Sequence, residues 1–191
     1  MFCSCGRRAT LLKDFRKSMN GCGKIVATDM SPVAPALFMA DETYLVPRID
    51  DPSYYEHVLD ICEKSKVKAI TTLIDPEIEI LAKNREDLLS KGILPLCPAD
   101  WTARLCYDKY EMFKYLHDKG VRTILTYNSL EGFKNGLEKG KISFPVFMKP
   151  INGSGSVGIG KVNSWEEAEA KFKDGKFTYI IQELMTGGDC D

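Results

Sequence analysis

Over residues 1–97 short apolar runs alternate with stretches of helical period, and this rhythm constrains the fold more than any single motif. FCSC (2–5) reads as a short strand and Gly6 as a turn. Residues 7–19 read as a helix with Ala9, Leu11, Leu12 and Phe15 on its inner side. KIVATD (24–29) is a second strand. YLVP (44–47) precedes a helix over 52–66, entered at Asp51-Pro52, where proline suits the first turn. VKAITTLI (67–74) is a strand, 76–89 a helix closed near Gly92, and ILPLC (93–97) a further strand. Strand and helix in this order predict an α/β fold with a Rossmann-like parallel sheet covered on both faces.

The ligands of such sheets lie at the carboxyl ends of the strands, which places Gly6, Arg7, Asp29, Asp75 and Glu77 near one edge. Asp29 reads either as a ribose or substrate contact or as a solvated strand end or helix cap. SCGRRA lacks the second and third glycines of the dinucleotide fingerprint, so the structural role is favoured. Asp75-Pro76-Glu77 reads equally as carboxylates in a cleft or as an acidic helix start. Arg48 joins these as a substrate candidate.

Composition narrows the function. Lys and Arg total 26 against 27 Asp and Glu, with the signs interspersed, so there is no basic field for nucleic acid. With 44% apolar residues the chain can bury a sizeable core. No window approaches the roughly 18 apolar residues of a membrane span. MFCSCGRR has no apolar leader core, and a cytoplasmic location is expected. The seven cysteines are scattered and form no CxxC pair, which favours reduced thiols over a zinc site. Cys3-x-Cys5 fits one face of a buried strand.

After Pro98 the rhythm changes. Residues 99–106 form a short helix, and a longer one runs from Asp108-Lys109 to His117 before Gly120. RTILTY (122–127) fits a strand, and Ser129 caps a helix to about Lys139. FPVFMK (144–149) is an apolar strand ending in lysine. GIGKVN (158–163) alternates like a strand, Ser164 and Glu167 form a capping box for a helix to Lys173, and FTYIIQEL (177–184) is a strand. The expected organisation is a Rossmann-like domain over 1–98, linker helices over 99–143, and a glycine-loop lid with its hinge strand over 144–191.

KPINGSGSVGIGK (149–161) matches two phosphate motifs at once. Gly153-x-Gly155-x-x-Gly158 fits the dinucleotide fingerprint, and Gly155-x-x-x-x-Gly160-Lys161 nearly fits a Walker A loop. Both devices join a strand to a helix, whereas a strand follows here, and Val162 brings no hydroxyl for magnesium. The stretch therefore reads as a flap between antiparallel strands. Its glycines let backbone amides approach phosphate oxygens, Ser154 and Ser156 add hydroxyls, and Lys149 brings a point charge. The plainer reading is a solvent hairpin beside a surface lysine.

FPVFMKPINGSGSVGIGKV, followed by YIIQELMTGGD, resembles the nucleotide-binding half of the ATP-grasp superfamily. CGRR, ATDMSPVAPAL, VPRIDDP and LIDPE resemble the pre-ATP-grasp domain of carbamoyl phosphate synthetase large-chain-like members. The resemblance covers nearly the whole chain. It implies ATP as cofactor, Lys109 and Lys149 on its phosphates, and Lys149 as the catalytic lysine. Asn152, Gly153, Ser154, Gly155, Ser156 and Gly158 would form the lid, Gln182, Glu183 and Leu184 the adenine hinge, and Asp189 the ribose contact. The family usually has a glutamate at this last place.

The superfamily's magnesium ligands and much of its acceptor site come from sequence after the hinge, so Mg2+ is expected to be held by residues beyond 191, with no metal site within the chain. The implied function is the ATP-binding part of a ligase that activates a carboxylate as an acylphosphate for attack by an amine. The 191 residues by themselves would then be inactive. Expected partners are ATP and a small carboxylate or amine, with a homodimer or a completing partner chain as a further expectation; neither nucleic acid nor membrane is expected. The competing reading is a non-catalytic nucleotide-binding module, and the weakest is a Rossmann-type oxidoreductase.

Overall fold

The computed structural model describes residues 1–153 and 155–187. Two compact units divide the chain, Met1–Ala103 and Arg104–Asp191. The sequence places the boundary slightly earlier, after Pro98.

The first unit is built on a five-stranded parallel sheet of β1 (Phe2–Cys3), β2 (Val26–Asp29), β3 (Glu42–Leu45), β4 (Ala69–Thr72) and β5 (Leu94–Pro95), in the order β3-β2-β1-β4-β5. Its helices are α1 (Ala9–Met19), α2 (Tyr54–Lys64), α3 (Asp75–Lys83) and α4 (Arg85–Ser90), with a 3-10 turn at Leu37–Met39. The strand alternation distributes side chains to two cores. Val26 and Ile70 join Val58, Ile61, Leu81 and Leu88 in one cluster, while Phe2 and Ala27 join Leu12, Ile25 and Leu37 in the other. The central strands β1 and β2 are buried at every position, whereas β3 and β4 alternate between buried or half-buried and more exposed residues.

Two expectations are corrected here. On α1 only Leu12 is fully buried; Leu11 and Phe15 are 37% and 40% exposed, and Phe15 instead meets the ring of Phe2 edge-on at 4.7 Å. The helix expected over 76–89 is two helices. Asn84 closes α3 and opens α4, and its side-chain amide donates to the Ile80 carbonyl at 2.8 Å. A residue whose side chain satisfies the backbone locally gives the chain a place to turn.

The second unit contains α5 (Asp100–Tyr107, its first residues in the first unit), α6 (Lys109–Asp118), α7 (Leu130–Glu138) and α8 (Trp165–Lys173). Its sheet is antiparallel, with β6 (Thr126–Tyr127), β7 (Val146–Pro150), β8 (Gly160–Val162) and β9 (Tyr179–Glu183) in the order β6-β9-β7-β8. The helix starts are set by side-chain caps. Asp108 accepts from the Tyr110 and Glu111 amides at 2.9 Å, and Ser129 accepts from Gly132 at 3.1 Å. Ser164 accepts from the Glu167 amide, while the Glu167 carboxylate accepts from the Asn163 amide at 2.8 Å, one residue before the cap. Orphan amides at each helix start are thereby satisfied. The strand expected over 122–127 is reduced to Thr126–Tyr127.

One face of this sheet packs on α7 and α8. Phe133 is completely buried there, stacked on Trp165 at 6.0 Å and edge-on to Phe144 at 5.5 Å, with Val146, Met148, Val162, Ala168, Tyr179 and Ile181 around it. Burying a ring of this kind contributes about 2–3 kcal/mol.

Candidate functional site

Alternation along β7 sends Val146, Met148 and Pro150 into the core and Phe147 and Lys149 to the opposite face. Register then determines their neighbours on that face. Lys149 lies opposite Ile180, and Phe147 opposite Gln182 on β9 and Lys161 on β8. Gln182 in turn faces Thr126, whose hydroxyl accepts from the Gln182 amide at 2.6 Å and donates to the Ile124 carbonyl at 2.9 Å. That chain of bonds fixes the direction of the Gln182 amide near the end of β9. Glu183 ends β9 exposed, opposite Val146, and Leu184 follows half-buried.

The glycine loop joins β7 to β8 as a connection between antiparallel strands, in agreement with the flap reading of the sequence. It is tied at its start to the beginning of α6. The Lys109 amide donates to the Ile151 carbonyl at 3.0 Å, and the Lys109 ammonium donates to the Gly153 carbonyl at 2.8 Å and to Ile151 at 3.4 Å. The Asn152 side chain donates to the Tyr107 carbonyl at 3.2 Å. Gly153, Gly155 and Gly158 have φ of +98°, +73° and +75°, and Ser156 has +61°, so the loop uses backbone geometry that favours glycine. Gly158 also sits where a Cβ would lie 2.8 Å from the Phe177 ring, so the loop's far end is seated on that side chain. Ser154 and Asp189 lie outside the described residues.

Lys109 and Lys149 act on each other. Burial first, and then the neighbouring positive charge of Lys109, push the Lys149 ammonium below its ordinary value. Among the described residues no carboxylate forms an ion pair with Lys149. Among the described residues no group of three or more His, Cys, Asp or Glu could hold a metal ion.

The substrate candidates of the first unit separate. Asp29 is neither a solvated strand end nor a helix cap: it is buried at the end of β2, accepting from the Gly6 amide at 2.8 Å and the Ser31 amide at 2.9 Å, so it holds the β1 turn. Arg48 is exposed and pairs with Asp50 at 3.0 Å. Both nevertheless line one cavity of about 340 Å3, with Ser4, Gly6, Arg8, Met30, Val46, Pro47, Ile49 and Ile74. Arg7 and Asp75 are exposed and outside that lining. Glu77 is not in a cleft at all: it is fully buried, accepting from the hydroxyls of Tyr54 and Thr72, and desolvation raises its pKa. Its place on the inner side of α3 is the reason; the acidic pair straddling Pro76 splits, with one carboxylate outward and one inward. Arg8 is the cavity residue that the sequence reading missed. Nothing in the order of two adjacent arginines says which of them turns toward the cavity.

A parallel Rossmann-like sheet is thus followed by an antiparallel sheet whose β7–β8 glycine loop is tied to the start of α6. Residues 1–96 match the PylC-like, N-terminal domain family, and the chain belongs to that family. A D-alanine--D-alanine ligase of Corynebacterium jeikeium is 54% identical over 59 residues, covering 28% of this chain and 15% of that protein.

Two solved structures share the fold at low identity. N5-carboxyaminoimidazole ribonucleotide synthetase from Thermotoga maritima is 20% identical with a TM-score of 0.67, over 96% of this chain and 45% of that one. The biotin carboxylase domain of Hydrogenobacter thermophilus 2-oxoglutarate carboxylase, solved with MgADP, ADP and bicarbonate, is 19% identical with a TM-score of 0.72, over 97% of this chain and 44% of that one. The chain thus spans less than half the length of these relatives.

Proposed function

We propose that the second unit binds ATP on the Lys149 side of its antiparallel sheet, beneath the glycine loop, as part of a ligase that uses ATP to activate a carboxylate. The observation that carries this reading is the Lys109 ammonium bonded to the glycine-loop carbonyls at 2.8 and 3.4 Å, with Lys149, on the strand that leads into the loop, half-buried and in no ion pair with a carboxylate among the described residues. In this reading both ammonium groups meet phosphate oxygens, and the amides of Asn152, Gly153, Gly155, Ser156 and Gly158 close over them. Gln182, Glu183 and Leu184 offer the adenine edge their backbone groups, and Asp189 is assigned to the ribose. Complexes with ADP among the solved structures of this fold support nucleotide as the ligand.

The chemistry assigned to the whole ligase is carbamoyl phosphate synthetase-like. A carboxylate oxygen attacks the γ-phosphorus and ADP leaves; an amine nitrogen then attacks the acyl carbon and phosphate leaves. Lys149 offsets the charge that grows on the transferred phosphoryl group. Among the described residues no group of three or more His, Cys, Asp or Glu could hold the magnesium that such a transfer uses.

Calorimetric titration with ATP tests the reading. Lys149→Ala is expected to raise the dissociation constant at least about tenfold, about 1.4 kcal/mol. An unchanged ATP affinity in a folded variant would refute it.

A further inference from the structure

We propose that the cavity at the carboxyl edge of the first sheet binds a small organic carboxylate with a compact apolar body, its carboxylate held by the Arg8 guanidinium. The place is the first argument. Strand order β3-β2-β1-β4-β5 reverses direction between β1 and β4, and the cavity is lined by residues that follow β1, β2, β3 and β4 at their carboxyl ends. Open parallel sheets bind their ligands at such a reversal.

The lining selects the chemistry. At about 340 Å3 the cavity falls in the range of small-molecule sites. Met30, Val46, Pro47, Ile49 and Ile74 make an apolar wall, and Met30 is 58% exposed, a large side chain with no core to fill. Of the three charged residues in the lining, two are already committed. Arg48 is paired with Asp50 through two bonds of 3.0 and 3.3 Å, and both Asp29 oxygens accept backbone amides. Arg8 has no carboxylate partner among the described residues, and its guanidinium folds back over the β1 turn, 3.7 Å from where a Cβ on Gly6 would stand.

The turn itself is held in an unusual shape, with Ser4 at φ +46° and Gly6 at +52°, and a side chain at Gly6 would meet the Arg8 fork. A planar guanidinium takes a carboxylate through two parallel bonds. One uncommitted cation beside an apolar wall suits a monoanion with a hydrocarbon body, and a polyphosphate would demand more positive charge. That this ligand is a substrate rests on the ligase reading above; that it binds here does not.

The test uses the isotope-labelled 191-residue chain and follows backbone amide resonances during titration with acetate, isovalerate, hexanoate, the neutral isovaleramide and inorganic phosphate. Isovalerate or hexanoate is expected to shift Gly6, Met30 and Ile74 saturably, with isovaleramide and phosphate weaker by about tenfold or more. Arg8→Ala is expected to abolish the shifts while leaving the rest of the spectrum in place, Arg8→Gln to do the same, Arg8→Lys to keep weak binding, and Arg7→Ala to change nothing. The proposal is overturned if no carboxylate moves these resonances, if the amide or phosphate binds as well, or if a folded Arg8 variant binds undiminished. Parallel titration with ATP separates the two readings: lost nucleotide binding with retained isovalerate binding sinks the ligase assignment alone, and the reverse sinks this one alone.

Discussion

The Lys109 ammonium donates to the Gly153 carbonyl at 2.8 Å, joining residues 44 apart in sequence, and so pins the entrance of the glycine loop to the start of α6. An ammonium has three donors, and loop carbonyls engage two of them here. A phosphate oxygen drawn to Lys109 therefore meets an ammonium whose direction the loop has already set. Lys109→Met is expected to speed hydrogen exchange at the amides of residues 155–158, read by mass spectrometry. Lys149→Ala, which touches none of those carbonyls, is expected to leave that exchange unchanged; equal effects of both variants would contradict the pin.

Lys149 gives the nucleotide site a pH signature. Its ammonium is held below the ordinary 10.5 by burial and by Lys109. A polyanion favours the charged form and raises the value again, so ATP binding in alkaline solution should take up protons, and affinity should fall as pH rises through the lowered value. Titration in buffers of different ionisation enthalpy measures the uptake. In Lys149→Ala the uptake is expected to disappear.

Glu77 makes the first unit sensitive to pH in the opposite sense to a salt-bridged carboxylate. Its pKa is raised above the ordinary 4.5 because desolvation outweighs the hydroxyls of Tyr54 and Thr72. The folded chain then holds this proton more tightly than the unfolded chain, so the stability it contributes is full below 4.5 and is lost as pH rises through the raised value. Glu77→Gln, which stays neutral, should gain on the parent protein as pH increases. Urea midpoints over a pH series measure the difference, and parallel curves would show that the proton is not differentially held.

The two ends of the glycine loop should respond differently to a methyl group. Gly158→Ala combines φ +75° with a Cβ 2.8 Å from Phe177 Cε2 and 3.1 Å from Pro150 Cγ, whereas Gly153→Ala, at φ +98°, meets nothing within 4 Å. Backbone strain alone costs about 1–2 kcal/mol, and contact with the ring adds to it at Gly158. Thermal unfolding should rank Gly158→Ala below Gly153→Ala. The reverse order would show that the Phe177 seat is not used in solution.

Thiol reactivity should follow burial. Burial pushes the Cys5 and Cys62 thiols up to about 11 and raises Cys3 as well, while Cys22 and Cys106 are exposed. Since the thiolate is the nucleophile, iodoacetamide should label Cys22 and Cys106 well before Cys3, Cys5 and Cys62, as followed by peptide mass mapping. Early labelling of Cys3 would mean that β1 opens readily.

Local physics was legible in the chain. Strand and helix alternation defined the parallel sheet because parallel strands need crossover helices between them, and Asp108, Ser129 and Ser164 marked helix starts because their side chains satisfy amides only a few residues away. The glycine loop was read as a flap because a strand period follows it, and pairing of Met148 with Gly160 and Val146 with Val162 agrees. Where the decision needed distant neighbours, the residues alone were ambiguous. The amphipathic pattern of α1 did not say that Phe15 stays at the surface against Phe2, and Asp75-Pro76-Glu77 did not say which carboxylate turns inward.

The sequence by itself determined most of the elements, their order along the chain and the neighbourhood of a lysine and a glycine loop, since these depend on side-chain period and on backbone freedom within a few residues. Only the tertiary structure decided that Glu77 and Asp29 serve the scaffold, that Arg8 and not Arg7 lines the cavity, and that Lys109 holds the loop's carbonyls. Those outcomes depend on register and burial. A one-residue change of direction along a strand or turn moves a charge from solvent to a site, and long-range packing alone chooses between them.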